Sequence, residues 1–341
     1  MDVTGWLLRR AVPRAFVVTA VGGTGARLAV EAELRERGWY EAASPAEADM
    51  LVACGHPCAE LSPVLDRVWD QMPGPRVRAA AAAPERAAGV LDRARAELLD
   101  TAAQRRDAEE RDGAARGRAR EEGGEDMPGG LPMADRGEDR DGLTLDRLHV
   151  SLGPALPAWP AGLSLSTVVQ GDVVQEARVR LVGAREGGSS SFWEGKPARA
   201  ASLDAAQNLL AVAGWPAAAL EGRRLRDALL RGEDGPRTRE RLRRWTLRVR
   251  RSRLLRWATA GLGEADGRAP AGLRGDVADR WSRWLDPDGG FPPYRADASR
   301  AALDLLPGLV IGQELAAVRL IVASLAPDTG AVGAYAPGGS A

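Results

Sequence analysis

Arg14-Ala15-Phe16-Val17-Val18-Thr19-Ala20-Val21, followed at once by Gly22-Gly23-Thr24-Gly25, is the stretch on which the fold reading turns. A β-branched apolar run of this length suits a buried strand and is too short for a helix. The glycines supply a tight turn. Beyond them Leu28, Ala29, Ala32 and Leu34 fall at helical spacing over 26–37, and Gly38 stops the helix. The alternation continues. Residues 49–54 (DMLVAC) read as a second short strand, and 61–72 as a helix with Leu61, Val64, Leu65 and Val68 on one face. Pro73 and Pro75 end that helix, and 76–82 form a third, weaker strand. Strands alternating with helices imply a parallel sheet with helices on its faces, so residues 1–100 are expected to form an α/β βαβ domain.

Residues 86–122 are one charged, Ala-rich stretch. Its start is amphipathic through about Leu99; the rest (QRRDAEERDGAARGRAREEGGED) has almost nothing apolar to bury. Residues 101–142 are therefore expected to be a charged, flexible linker, helical at most at its start. Residues 143–341 read as an α+β domain. Leu163 to Val182 holds two period-2 segments flanking Gly171-Asp172, which predicts a hairpin in a small antiparallel sheet. After Ser202 the pattern is helical over 203–214, 218–230, 238–262, 273–285 and 298–326, separated by Gly/Pro/Asp loops such as 286–290.

Of the 341 residues, 45% are hydrophobic and 28% charged, enough for a sizeable core under an ordinary hydrated surface. Lys+Arg and Asp+Glu both number 47, so no net field steers the chain toward nucleic acid or an acidic membrane. All the basic residues except Lys196 are arginine. Met1 to Trp6 lacks a basic segment leading into an apolar one, so no signal peptide is expected. The longest apolar stretch, 305–326, is interrupted by Glu314, Arg319 and Pro307, short of the roughly 20 apolar residues of a spanning helix. Two cysteines make no disulfide framework, and the expected compartment is the reducing cytoplasm.

Ser44 to Gly55 (SPAEADMLVACG) and Leu61 to Arg76 (LSPVLDRVWDQMPGPR) carry a family pattern. They resemble the small, cluster-bearing B-type subunit of NADH-quinone oxidoreductase (complex I) and of related membrane-bound nickel–iron hydrogenases. There an SP…ADVL strand precedes a helix closing on a Met-Pro-x-Pro-basic ending. A second similarity covers Leu148 to Val179: Leu-x-Val-x-Leu-Gly-Pro, then Pro160-x-Gly162-Leu163, then Gly171-Asp172-Val173-Val174. It is similar to the opening sheet of the large, quinone-site D-type subunit. The resemblance implies a flavodoxin-like first half, a respiratory or hydrogenase complex as context, and partner subunits of a membrane-associated oxidoreductase. It also implies a four-iron cluster in the first half, with cysteines after strand one and beyond strand three. Those positions here are Gly22, Gly23, Thr24 and Gly25, and Pro84-Glu85-Arg86, and the whole chain holds only Cys54 and Cys58. No cofactor is expected on this chain.

The remaining motifs each have a plain reading beside the functional one. Cys54-Gly55-His56-Pro57-Cys58 offers two thiols and an imidazole, but a structural zinc wants four ligands and the other histidine is the distant His149. A structural role leads, with a redox-sensitive thiol pair second. Gly22 to Gly25 could bind phosphate at a helix start, yet lacks the Gly-Lys-Ser/Thr of a P-loop and the dinucleotide spacing; a tight turn explains it without a ligand. The charge run Asp135 to Asp141 reads as solvated. Arg237 to Arg256, with Trp245 and Trp257, reads as a partner-contact face suited to an acidic subunit or lipid headgroups rather than to nucleic acid. Trp281 and Trp284 share a helix face and suit packing. No Ser/His/Asp arrangement or paired carboxylates stand out. The expectation is an accessory or structural subunit of a complex-I-like assembly, not catalytic alone, cytoplasmic and peripheral on the membrane's inner face through partner subunits. The alternative is a nucleotide- or small-molecule-binding α/β protein using Gly22 to Gly25.

Overall fold

The computed structural model describes residues 10–121, 135–138, 144–184, 190–286 and 296–335. The chain divides into two compact units, Met1–Arg147 and Leu148–Ala341.

In the first unit β1 (Arg14–Thr19), α1 (Thr24–Glu36), β3 (Met50–Cys54), α2 (Ser62–Gln71), β4 (Val77–Ala81) and α3 (Ala87–Leu98) alternate as the sequence predicts, and a short strand it does not predict, β2 (Tyr40–Glu41), lies between α1 and β3. The sheet is parallel throughout, in the order β2-β1-β3-β4. That is a flavodoxin-like arrangement whose order reverses at β1, so the crevice expected for a ligand lies at the carboxyl ends of β1 and β3. β3 is buried along its whole length, as a strand covered on both faces must be. Its pleat sends Met50, Val52 and Cys54 into one cluster with Val30 and Leu34 of α1 and Val90, Leu91 and Leu98 of α3. Leu51 and Ala53 alternate to the other face. α2 buries Leu65 and Val68, with buried Leu61 and Met72 at its two ends.

The stretch 101–142, expected to be a flexible linker, begins instead as a long helix, α4 (Thr101–Glu121). Few apolar residues hold it; polar pins do. Gln104 bonds both backbone groups of Arg76, accepting at 2.9 Å and donating at 3.0 Å, and Asp107 pairs with the Arg76 guanidinium. The charge run expected to be solvated starts as a strand, β5 (Asp135–Glu138), antiparallel to the first residues of β6 (Thr144–Leu152). Residues 139–141 of that run lie outside the described residues, as do Met1 to Trp6 and Pro287 to Gly290.

In the second unit β7 (Leu163–Gln170) and β8 (Val173–Leu181) form the expected hairpin, paired from Leu163↔Leu181 to Gln170↔Val173. Gly171 opens its two-residue turn at φ +63°, a left-handed conformation that glycine adopts without strain. Helices follow: α5 (Ala198–Val212), α6 (Pro216–Leu230), α7 (Pro236–Arg250), α8 (Arg253–Thr259), α9 (Val277–Trp284), α10 (Ala296–Val310), α11 (Leu315–Leu325) and the short α12 (Thr329–Val332).

Three expected helices are cut. The span 238–262 breaks at Ser252, whose hydroxyl caps α8 by accepting from the Leu255 N–H. The span 298–326 breaks at Gly312 to Glu314 because that segment joins the sheet: Gly312 N–H donates to Val174 O (2.8 Å) and Val174 N–H to Gln313 O (2.9 Å). The span 273–285 starts only at Val277, behind an Asp276–Asp279 capping box. The residues before it form a loop held by Arg280, which is fully buried and donates to the carbonyls of Gly263, Leu273 and Gly275 and to Ser324 Oγ.

Candidate functional site

The carboxyl edge of the parallel sheet is built almost wholly from backbone. Ala20 N–H donates to Cys54 O (2.9 Å), Gly23 N–H to Ala20 O (2.8 Å), and Gly55 N–H to Ala81 O (2.9 Å), tying the ends of β1, β3 and β4 together. The four residues predicted as a turn divide between two roles. Gly22 is exposed at φ +78°, with no atom within 4 Å of where a Cβ would stand. Gly23 is buried, and a Cβ there would collide with the Cys54 carbonyl; a Cβ on Gly55 would in turn meet the Gly23 Cα at 2.7 Å. Two glycines facing each other thus let the β1–α1 and β3–α2 loops touch backbone to backbone. Thr24 and Gly25 begin α1, whose first amides form the positive end of the helix dipole.

The same edge carries the cysteine motif. Cys54 ends β3 fully buried, and burial pushes its thiol well above the usual range, so it stays protonated and inert. His56 is exposed, and Cys58 sits half-buried where its carbonyl accepts from the Leu61 and Ser62 amides, starting α2. Both cysteines are free thiols. Among the described residues no group of three or more His, Cys, Asp or Glu side chains converges as a metal site would require. The donors do not fit a four-iron cluster: the β1–α1 loop presents backbone and a threonine, and one of the two thiols lies inside the sheet.

The Met-Pro-x-Pro-basic ending has a visible structural function. Arg76, almost wholly buried, turns back on α2, donating to the carbonyls of Trp69 and Met72 and stacking on the Trp69 ring at 4.0 Å. It caps the helix that precedes it and holds α4 through Gln104 and Asp107. Asp49 sits at the opposite end of β3. It accepts from the Arg14 amide (3.0 Å), and burial raises its carboxyl above the ordinary range.

The second unit holds a buried ionic cluster between α5 and α6 that the sequence reading does not anticipate. Arg226 is fully buried, its Nη1 2.6 Å from Asp204 Oδ1 and its Nε 2.8 Å from Asp227 Oδ1. Gln207 joins Asp204 and accepts from Arg223 (2.7 Å). The available signal was position: Asp204 and Gln207 lie in the run Ala200 to Gln207, whose every other member is apolar or small. Trp281 and Trp284 are core residues, and Trp281 Nε1 donates to Thr259 Oγ1 (3.0 Å). The Arg-rich stretch is partly core as well. Trp245 and Val249 are buried, and Trp245 Nε1 donates to Ala218 O (2.9 Å).

Fold and site together define an α/β unit with a backbone-lined carboxyl edge, joined to an α+β unit with a buried ionic cluster. No protein-family model matches this chain, and neither a curated protein nor a solved structure matches it significantly. Among the described residues no helix is long and apolar enough to cross a membrane.

Proposed function

We propose that the chain is an accessory subunit of a complex-I-like NADH-quinone oxidoreductase or a related hydrogenase complex, structural rather than catalytic. One observation carries the reading. The segment resembling the B-type subunit, Ser44 to Arg76, is built as a closed module on a β2-β1-β3-β4 sheet, with its Met-Pro-x-Pro-Arg ending locked by Arg76. The edge that would hold the cluster in that family is here filled by Gly23 against Cys54 and Gly55. The hairpin Leu163–Leu181, in the segment resembling the D-type subunit, lends support from the second unit.

Co-purification tests the proposal. A tagged chain recovered from its native membranes should bring down subunits of a quinone oxidoreductase or hydrogenase in fixed ratio. Recovery as a lone monomer under mild extraction overturns it.

A second reading, an anion or nucleotide held at the start of α1, is favoured by the open space over Gly22 beside the first amides of that helix. A thermal shift with nucleotides, abolished by bulk at Gly22, is the result that would put this reading first.

A further inference from the structure

The junction of α7 and α8 exposes a Trp/Leu pair within an arginine-rich stretch of chain, and we infer that it is a direct docking surface for an anionic lipid bilayer. α8 is fixed from beneath. Leu255 and Thr259 are buried, Thr259 Oγ1 accepts from Trp281, and the Arg256 guanidinium lies 5.8 Å from the Trp281 ring centroid. At about 100° per residue Trp257 then points directly away from that buried face, with Arg253 and Leu254 beside it. Their exposure matches: Trp257 is 79% and Leu254 73% accessible, the two highest values among the large apolar residues described.

Charge distinguishes this face from the first half of α7. There four arginines are neutralised locally: Arg239 by Asp234, Arg241 by Glu221, Arg243 and Arg244 by Glu240. Around Trp257 they are not. Arg250, Arg251, Arg253 and Arg256 are all exposed, and among the described residues no carboxylate pairs with any of them. A chain with balanced charge thus places uncompensated cations close in sequence to the most accessible tryptophan among the described residues.

An indole beside a leucine seats at the level of the headgroups, and guanidinium groups pair with lipid phosphates bidentately. A protein partner fits less well. A stable protein interface covers about 800 Å² on each side around a packed apolar core, whereas here two exposed apolar side chains stand in a stretch of exposed arginines. A headgroup layer needs no matching shape, only an anchor and negative charge.

The test uses the full chain and vesicles. Flotation with mixed phosphatidylcholine–phosphatidylglycerol vesicles should recover the protein at low salt, pure phosphatidylcholine should recover little, and rising salt should release it. Trp257→Ala combined with Leu254→Ala should abolish recovery. Each of Arg250→Gln, Arg251→Gln and Arg253→Gln should weaken partitioning by about fivefold. All these positions are exposed, and a circular dichroism melt unchanged from wild type confirms that a variant is folded. Failure of the wild type to float with anionic vesicles at low salt overturns the inference. So does flotation indifferent to Trp257 and Leu254, or retention through these residues of an acidic protein in place of lipid.

Discussion

Arg76 and Asp107 form an ion pair that fastens the charged helix α4 to the sheet unit. Arg76 Nη2 lies 3.1 Å from Asp107 Oδ1, and Nε lies within 3.3 Å of both carboxylate oxygens. The same guanidinium caps α2, so one side chain holds two helices that the sequence separates by a strand and a third helix.

Arg76→Ala should release both. Carbonyls of Trp69 and Met72 lose a buried donor, for a loss of about 2 kcal/mol or more. Amide hydrogen exchange should accelerate along α4 well before the rest of the unit. Arg76→Lys should recover little, because an ammonium cannot span the carboxylate and the helix end together. Unchanged protection in α4 would show that something else holds it.

The buried cluster of the second unit should be far more sensitive to breaking than its size suggests. Asp204→Ala removes the 2.6 Å partner of Arg226 inside the α5–α6 contact and leaves its 2.8 Å pair with Asp227. The expected loss is about 3 kcal/mol, the lower part of the range for breaking a buried ion pair. Urea unfolding of the variant measures it, and a loss under 1 kcal/mol (on the order of an exposed pair) would contradict the burial.

Asp328 gives the second unit a pH dependence of known sign. It caps α12, accepts from Ser191 Oγ and donates its amide to Ser299 Oγ (2.9 Å); burial holds its carboxyl above the ordinary carboxylate range. Its contribution to stability is therefore full below the unfolded value, about 3.9. That contribution is lost as pH rises through the higher folded one. Asp328→Asn keeps the cap and does not titrate. Wild type should lose ground to this variant as pH rises from acid to neutral, measured by urea midpoints. A difference constant with pH would refute the assignment.

The two glycines of the β1–α1 turn should respond differently to one methyl group. Gly23→Ala drives a Cβ into the Cys54 carbonyl and should cost about 1–3 kcal/mol as overpacking. Gly22→Ala meets open space and costs about 1 kcal/mol for its left-handed backbone. Thermal melts of the pair decide it; equal losses would mean that the loops do not touch as described.

What the sequence made legible follows the range over which each feature is determined. The strand Arg14–Thr19, its glycine turn and the Gly171-Asp172 hairpin declare themselves within a few residues, through period and turn chemistry. The start of helix α4 shows in its Ala-rich, charged composition, but its hold on the sheet unit depends on Arg76, far upstream, which no local pattern reveals. The break at Gly312 depends on Val174, and the strand Asp135–Glu138 on Thr144 to Arg147. At the candidate site, the strand-to-helix turn is legible at Gly22 and Gly23, while Thr24 and Gly25 already belong to α1. Why Gly23 must be glycine depends on Gly55, a residue contributed by another loop. Asp204 and Arg226 were invisible for the opposite reason: each is an ordinary helix residue until the facing helix buries it.

The bonding of Gly312 and Gln313 to Val174 also sets an order of events during synthesis. β8 is the outer strand of its sheet, and an uncovered strand edge can recruit another chain. Its cover is the segment Gly312 to Glu314, which leaves the ribosome long after the hairpin itself has emerged. Throughout that interval the outer edge of β8 stands open as a template, so a nascent chain halted before Gly312 should associate edge to edge more readily than one carried past Glu314.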